Sequence, residues 1–331
     1  MSPAAPARSF AAYLCKRASS SVSRHALALS CPSQSVHFDC GELDVRIRRL
    51  AFSLSSLGIQ PFTLVASALP NTSESLILAY ALQHIGAVLT SMPADVNARD
   101  KIINKAGGNM PFVATFASSA TGRPECLNHL DIPHVYLNND EESKEENDAS
   151  GIVDMAQLLS VTNLRKDDPN ATQQLMGVFG SAAVTHEQAM RLAQEAAQKL
   201  ETKPNDKVCC SVTLLHAFGA ASAVGSAVVG DAAVILPEVG GIRGCGSPSQ
   251  RAQVTADVIA TEGVTQLFGD THTLRALQDV EAPASHHLRT GVIKIGSGSD
   301  FLDDVRETPG DDAIPLSWAG TSFHAMGKRS A

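Results

Sequence analysis

The sequence predicts an α/β protein, and three observations predict it. Strand-like and helix-like segments alternate from Asp39 to Met92 and again after Asp167, the order that gives parallel βαβ units. A polar, acidic run, Asn138–Ser150 (NNDEESKEENDAS), separates the two alternating stretches and has the composition of a solvated connection. The chain has 331 residues, 44% hydrophobic and 18% charged, enough for two lobes with a sizeable core. The expectation is two Rossmann-like lobes with mainly parallel sheets flanked by helices. The segments divide the chain into residues 1–23, a first lobe 24–137, an acidic linker 138–168, a second lobe 169–299 and a tail 300–331.

The elements follow in order. The first 38 residues carry Arg8, Lys16, Arg17 and Arg24 and no acid, with many serines. Phe10, Tyr13, Leu14 and Arg17 make a short amphipathic turn or two. This composition is that of a mitochondrial targeting segment, with a disordered basic tail as the plainer alternative and a docking role as a third. Asp39-Cys40-Gly41-Glu42 has the form of a capping box, and Leu43, Ile47, Leu50, Leu54 and Leu57 then repeat at helical spacing up to Gly58. Phe62–Leu69 is rich in β formers. Asn71 with Glu74 is expected to cap a second helix ending near Gly86, and Ala87–Met92 reads as a strand. In the second half, Leu175–Phe179 reads as a strand. Thr185-His186-Glu187-Gln188 is a second capping box, and Pro204 stops the helix behind it. Val208–Leu215 reads as a strand, Ala217–Gly230 as a buried helix of small residues and Ala232–Leu236 as a strand. Ser249–Thr261 and Thr271–Val280 are expected helices. Val264–Phe268 and Gly291–Ile295 are expected strands. No repeat with a period of roughly 20–50 residues marks a solenoid or propeller.

Bulk chemistry excludes several classes. The formal net charge of -8 with no basic face argues against nucleic acid as a partner. The seven cysteines, Cys15, Cys31, Cys40, Cys126, Cys209, Cys210 and Cys245, form no CxxC pair, so free thiols are expected and neither a metal site nor a disulfide framework. Cys209 and Cys210 share one strand and should face opposite sides of it. The weakly polar run Ala217–Gly230 is too short to span a bilayer.

Six segments, in order, resemble the adenylate-forming superfamily of acyl-CoA synthetases, firefly luciferase and peptide-synthetase adenylation domains. HFDCGELDVRIRRLAFSLSSLGIQ (37–60) is similar to that family's opening helix. LVASALPNTSESLILAYALQHIGAVLTSM (64–92) is similar to its strand, Pro-Asn, helix and Gly-Ala-Val strand. VTHEQAMRLAQ (184–194) resembles the Thr-His helix after its phosphate loop. NDKVCCSVTLLHAFGAASAVGSAVVGDAAVIL (205–236) resembles its strand, His-x-x-Gly helix and next strand. EGVTQLFGDTHTLRAL (262–277) and LRTGVIKIGSGSD (288–300) are similar to two later segments. The resemblance covers about Arg24 to Ser299 and implies the two-lobed N-terminal domain of acyl-CoA synthetases; fold alone does not imply activity.

The chemistry of that family needs a Gly-, Ser- and Thr-rich loop with a Lys, whose backbone N–H groups offset the charge of a pyrophosphate leaving group. Before Thr185-His186 this chain reads GVFGSAAV. Gly180 and Ser181 are the remnants of such a loop, and no Lys lies between Lys166 and Lys199. The family's Tyr-Gly-x-Thr-Glu, which supplies a Glu for magnesium, has its nearest counterpart in Trp318-Ala319-Gly320-Thr321-Ser322-Phe323, without the Glu. The nucleotide-ribose Asp and the C-terminal domain with its catalytic Lys would lie beyond Ala331. His216, Phe218 and Gly219 match the wall of the family's acyl pocket; a half-buried, hydrogen-bonded His is the plainer alternative. His186 beside the helix cap reads as structural. Gly240, Gly241, Gly244 and Gly246 with Arg243, and Gly296-Ser297-Gly298, fit no phosphate-loop spacing. Ser285 with His286-His287, and Ser181 with His186, lack the third group of a hydrolase.

The expectation is therefore a pseudoenzyme without catalytic residues, metal or cofactor. It would serve as a structural or accessory subunit of a mitochondrial assembly, a respiratory complex or the ATP synthase, on the matrix side of the inner membrane. Its partners would be other protein subunits of a large complex, docked on apolar surface that the missing parts of the family fold would cover. The alternatives are a module that binds an acyl, acyl-CoA or nucleotide ligand without turnover, and an active ligase with an atypical loop. A closed acyl-like pocket near His216 would favour the binding module; bulky side chains filling that space would count against it.

Overall fold

The computed structural model describes residues 9–91, 110–118, 132–137, 152–167, 169, 174–179, 182–237, 247–295, 305–306 and 316–326. Two mainly parallel sheets stack with a layer of helices between them, as the alternating pattern predicts. The first sheet runs β7-β6-β5-β3-β4-β8-β9. Its strands are β3 (Leu64–Ser67), β4 (Val88–Ser91), β5 (Phe112–Ser118), β6 (His134–Leu137), β7 (Ile152–Asp154), β8 (Leu175–Phe179) and β9 (Ala182–Thr185). The second runs β14-β17-β13-β12-β10-β11-β1-β2, from β1 (Leu27–Cys31), β2 (Val36–Asp39), β10 (Lys207–Cys210), β11 (Ala233–Ile235), β12 (Gln266–Asp270), β13 (Thr290–Lys294), β14 (Val305–Arg306) and β17 (His324–Met326). Within these two sheets, among the described residues, only the edge strands β2, β9 and β14 pair antiparallel.

Strand membership crosses the boundaries expected from sequence. The N-terminal pair β1–β2 sits in the second sheet, and β8–β9 completes the first. The acidic connection does not extend to residue 168 as a loop. Ile152–Asp154 is an edge strand and Met155–Ser160 a helix, α4, whose Leu158 carbonyl accepts the Ser53 hydroxyl at 2.8 Å. Nor is 300–331 a bare tail. β17 extends the second sheet beside β13, and a hairpin, β15 (Ser317–Trp318) with β16 (Thr321–Ser322), is tied by the Thr321 hydroxyl to the Leu288 carbonyl at 3.0 Å.

Period-2 alternation sorts each strand's residues between layers. Cys209 packs on the outer face of the second sheet with Ile235, Leu267 and Ile293. Cys210 packs inward with Val208, Val234 and Phe268. Both thiols are fully buried, as the opposite-face reading requires, and burial pushes the Cys209 thiol well above its ordinary value. The outer face is covered by α7 (Pro248–Glu262) and α8 (Thr271–Leu277). The inner layer holds α2 (Cys40–Ser56), α3 (Ser73–Ile85), α5 (His186–Lys199) and a π-helix (Phe218–Ala223) that continues as α6 (Val224–Val229). The capping boxes expected at Asp39/Glu42 and Thr185/Gln188 are both formed, and Ser247/Gln250 makes a third.

The N-terminal turns are a full helix of this layer, α1 (Phe10–Ser19), with Ser9 as its N-cap. Phe10 and Leu14 are each 2% exposed. The tip of Phe10 fits because Gly225 of α6 has no side chain: a Cβ there would lie 2.6 Å from the ring. Arg17 closes the other end of α1. Its guanidinium donates to the carbonyls of Asp231 (2.8 Å) and Ala232 (3.3 Å) and pairs with the Asp231 carboxylate at 3.0 Å. The basic, Ser-rich composition thus belongs in part to a helix that completes the core.

The expected bare apolar face is not found among the described residues. Their exposed large hydrophobics are Val22, Phe62 and Leu164, scattered singly, which is ordinary for a protein surface. No described helix is long and apolar enough to cross a membrane. Because α1 is part of the core, Phe10→Ala should lower the unfolding free energy of the full chain by about 3–5 kcal/mol. Urea denaturation measures this, and a loss under ~1 kcal/mol would show that α1 is peripheral.

Candidate functional site

The position that a phosphate loop would occupy is closed by a hairpin. β8 and β9 pair antiparallel with Phe179 opposite Ala182 and Val178 opposite Ala183. Only Gly180 and Ser181 separate the two strands in sequence; both lie outside the described residues, as do the glycine runs 240–246 and 296–298. The strand Ala182–Thr185 was not foreseen. An anion cradle needs convergent backbone N–H groups that are free to point at the ligand. Here the flanking backbone is committed to a ladder. The α5 N-terminus behind it is also occupied: the Thr185 hydroxyl takes the Gln188 N–H at 3.1 Å, and the Gln174 carbonyl takes the His186 N–H at 2.8 Å. Glu187 adds negative charge to this first turn, which repels an anion.

His216, Phe218 and Gly219 come together at the entry to the π-helix. His216 Nδ1 accepts the Phe218 N–H at 3.0 Å, so the imidazole closes its own turn, the plainer of the two alternatives. The Phe218 ring is buried and tilted against Phe268, centroids 5.7 Å apart. Gly219 permits close backbone approach, since a Cβ would stand 2.2 Å from the Thr213 carbonyl oxygen. The described cavity nearby lies between α3, the ends of β4 and β8, and the π-helix. Its walls include Leu76, Tyr80, Met176, Phe179, Leu214 and Val224, and its volume is about 20 Å³. That is room for about one water, whereas benzene takes an engineered cavity of about 150 Å³. Met176 and Phe179 of β8 form part of the cavity wall.

The side chain that fixes the geometry here is Asn71. The helix cap is not Asn71 but Thr72, whose hydroxyl accepts the Ser75 N–H. Asn71 is 3% exposed and reaches across to the segment after β10. Its Nδ2 donates to the Val212 carbonyl at 2.6 Å, and its Oδ1 accepts the Leu214 N–H at 2.8 Å. This accompanies the end of the expected strand Val208–Leu215 at Cys210: beyond it the Val212 carbonyl and the Leu214 N–H bond to Asn71 instead of a neighbouring strand.

Two buried histidines set the local electrostatics. His84 on α3 is 1% exposed and neither ring nitrogen has a hydrogen-bond partner. Burial first, then the positive charges of Arg48 and Arg165, lower its pKa to about 4. Burial lowers His186 to about 4 as well. Both are neutral at pH 7, and His186 sits at the first position of α5 beside its Thr185 cap. His286 is placed by Nε2 against the Ala319 carbonyl at 3.0 Å, with no catalytic partner among the described residues. No described group of three or more His, Cys, Asp or Glu side chains is placed to hold a metal ion.

No protein-family model matches the sequence, and no curated protein matches it. Solved structures do match. A benzoate CoA ligase from Burkholderia xenovorans superposes with TM-score 0.67 at 18% identity, over 86% of this chain and 55% of that one. A protein from Rhodopseudomonas palustris described as a long-chain-fatty-acid CoA ligase gives TM-score 0.66 at 18% identity, over 86% and 69%. The unliganded O-succinylbenzoate CoA synthetase of Bacillus subtilis gives 0.63 at 15% identity, over 85% and 53%. The chain therefore spans between about half and about two thirds of the length of these proteins.

Two outcomes are expected. Asn71→Ala strands a buried carbonyl and a buried N–H, each costing about 1–3 kcal/mol, so stability should fall by roughly 2–6 kcal/mol in denaturant titrations; a neutral variant would remove the bridge from the account. In acid, the unfolded chain protonates His84 and His186 near pH 6.5 while the folded chain resists to about pH 4. Their contribution, on the order of 3 kcal/mol each, is complete above pH 6.5 and is lost as pH falls towards 4. Unfolding midpoints recorded from pH 7 to pH 4 should drop through that window, and a flat profile would contradict the burial of these rings. At this level of identity the likeness establishes the fold and not the activity: the chain is built on the α/β fold of the N-terminal domain of the adenylate-forming acyl-CoA ligases.

Proposed function

We propose that this chain is a non-catalytic protein on the acyl-CoA ligase fold that serves as a structural or accessory subunit of a larger protein assembly. The observation that carries the proposal is the β8–β9 hairpin at the phosphate-loop position. Activation of a carboxylate by ATP requires donors aimed at the departing pyrophosphate, and loss of a single such donor commonly costs roughly 100- to 1,000-fold in rate. Here the flanking N–H groups serve a ladder and a capped helix, and no Lys lies between Lys166 and Lys199. An acyl or nucleotide binding role draws no support from the described cavity, which Met176 and Phe179 narrow to about 20 Å³.

The preferred setting is a mitochondrial respiratory complex or the ATP synthase, at the matrix or the matrix face of the inner membrane. Its support is the basic, acid-free composition of the first 38 residues. Since Phe10 and Leu14 are core residues, a targeting role would have to leave α1 in place. With a formal net charge of -8, the partner face best suited to this chain carries Lys and Arg.

The full chain, purified under native conditions from its own cells, is expected to emerge with other subunits at fixed stoichiometry on native mass measurement. It is expected to release no pyrophosphate from ATP with any carboxylate offered. Substrate-dependent pyrophosphate release, or a solitary monomer, would overturn the proposal.

A further inference from the structure

We propose that the N-terminal helix α1 is a signal that folding cancels: a partner reads it only on the unfolded chain, and the folded protein keeps it. Amphipathic basic segments are read through a free apolar face and free cations. In the folded chain α1 lies against α2, α3 and α6, and that contact takes up both. Phe10, Ala11, Leu14 and Ala18 are all buried. Of the two cations on the helix, Arg17 is buried and spent on Asp231 and Ala232, which leaves Lys16 exposed. Gly225 and Asp231, which receive Phe10 and Arg17, come more than 200 positions later. Until they are made, the segment has no seat and its apolar face is open to a reader.

The seat is shaped for α1. Asp231 stands in the left-handed region at φ +57°, where an L side chain is strained and where glycine commonly closes a helix. Its carbonyl and its carboxylate both reach Arg17 from there, at 2.8 and 3.0 Å. At the other end of α1, buried Gln83 of α3 accepts the Ala11 N–H through Oε1 at 3.2 Å. Between them the Arg48 guanidinium of α2 donates to Cys15 Sγ at 2.8 Å. Cleavage behind Ser19 would remove all of these bonds and empty the space that Phe10 fills beside Gly225, a loss of packing and of hydrogen bonds together. Any N-terminal processing therefore ends at or before Ser9, the cap of the helix. That α1 is read at all rests on the targeting composition of the first 38 residues; that it is kept rests on its packing, and neither needs the assembly role.

Retention is tested by the intact mass of the folded protein purified from its own cells, which should include residues 9–19. A folded protein that begins after Ser19 would overturn it whatever the protein assembles with, whereas a solitary monomer with α1 in place overturns the assembly role alone. Amide exchange on the full chain tests the docking. The α1 amides should exchange as slowly as those of α3, and Asp231→Lys, which sets a cation against Arg17 and leaves α1 itself unaltered, should speed them about tenfold or more. Free-peptide rates for α1 in the unaltered chain would overturn the docking. Cancellation is tested with isolated mitochondria: full chain diluted from urea should be taken up, and folded chain at least ~10-fold more slowly, because only its open fraction presents the helix. Equal uptake of the two, or uptake of neither, would overturn the signal.

Discussion

The two-sheet body depends on one carboxamide. Asn71 stands at the N-terminal end of α3, just after the first sheet's β3, and both ends of its side chain are spent on the backbone just after β10 in the second sheet. A hydrogen bond between neutral groups contributes modestly on its own, but a buried amide bonded at both ends admits only one relative placement of the two backbones. The rest follows from that placement. Residues 211–215 cannot continue as a strand, the π-helix begins where they turn, and Phe218 is directed onto Phe268. The same turn sets Leu214 against the hairpin residues Met176 and Phe179.

Much of the fold was legible in the sequence. The capping boxes at Asp39/Glu42 and Thr185/Gln188 named the starts of α2 and α5 to the residue, because a cap is a local bargain between a side chain and its own helix. Parallel alternation and the opposite faces of Cys209 and Cys210 were equally local. The failures are the places where partners are remote in sequence. Asn71 carried the chemistry of a cap, yet its partners are Val212 and Leu214, and Thr72 took the cap. Val208–Leu215 has the composition of a long strand, and tertiary bonds override that propensity after Cys210. The core packing of α1 was not legible either, because amphipathic, basic, Ser-rich turns suit a targeting segment and a packed helix alike; Gly225 and Asp231, which receive Phe10 and Arg17, lie more than 200 positions away in sequence.

At the candidate site the sequence carries the length of the connection but not its form. The shortening before Thr185-His186 could be counted from sequence, since Gly180 and Ser181 are all that separate the paired Phe179 and Ala182. What replaces the loop could not. Ala182–Thr185 is too short to announce a strand by periodicity, and its pairing with β8 follows from geometry. His216, Phe218 and Gly219 are not among the residues lining the described cavity, and what they do emerges only from contacts: a turn closed by imidazole, a ring on a ring, and a backbone that tolerates no Cβ.

The exchange of strands between the sheets has a consequence for how the chain folds during synthesis. β1 emerges first, yet its parallel neighbour is β11, and Leu29 pairs with Val234. The antiparallel hairpin β1–β2 can form early, but it has no sheet to join until some 200 further residues have left the ribosome, and a pairing of such range closes slowly. The first sheet, in turn, lacks β8 and β9 until residue 185 has emerged. The first sheet can therefore be complete while the second still waits for its strands from β10 onwards, and the closure of β1 onto β11 comes late. During synthesis the buried faces of β1 and α1 remain uncovered, which makes this the interval in which a chaperone has something to hold.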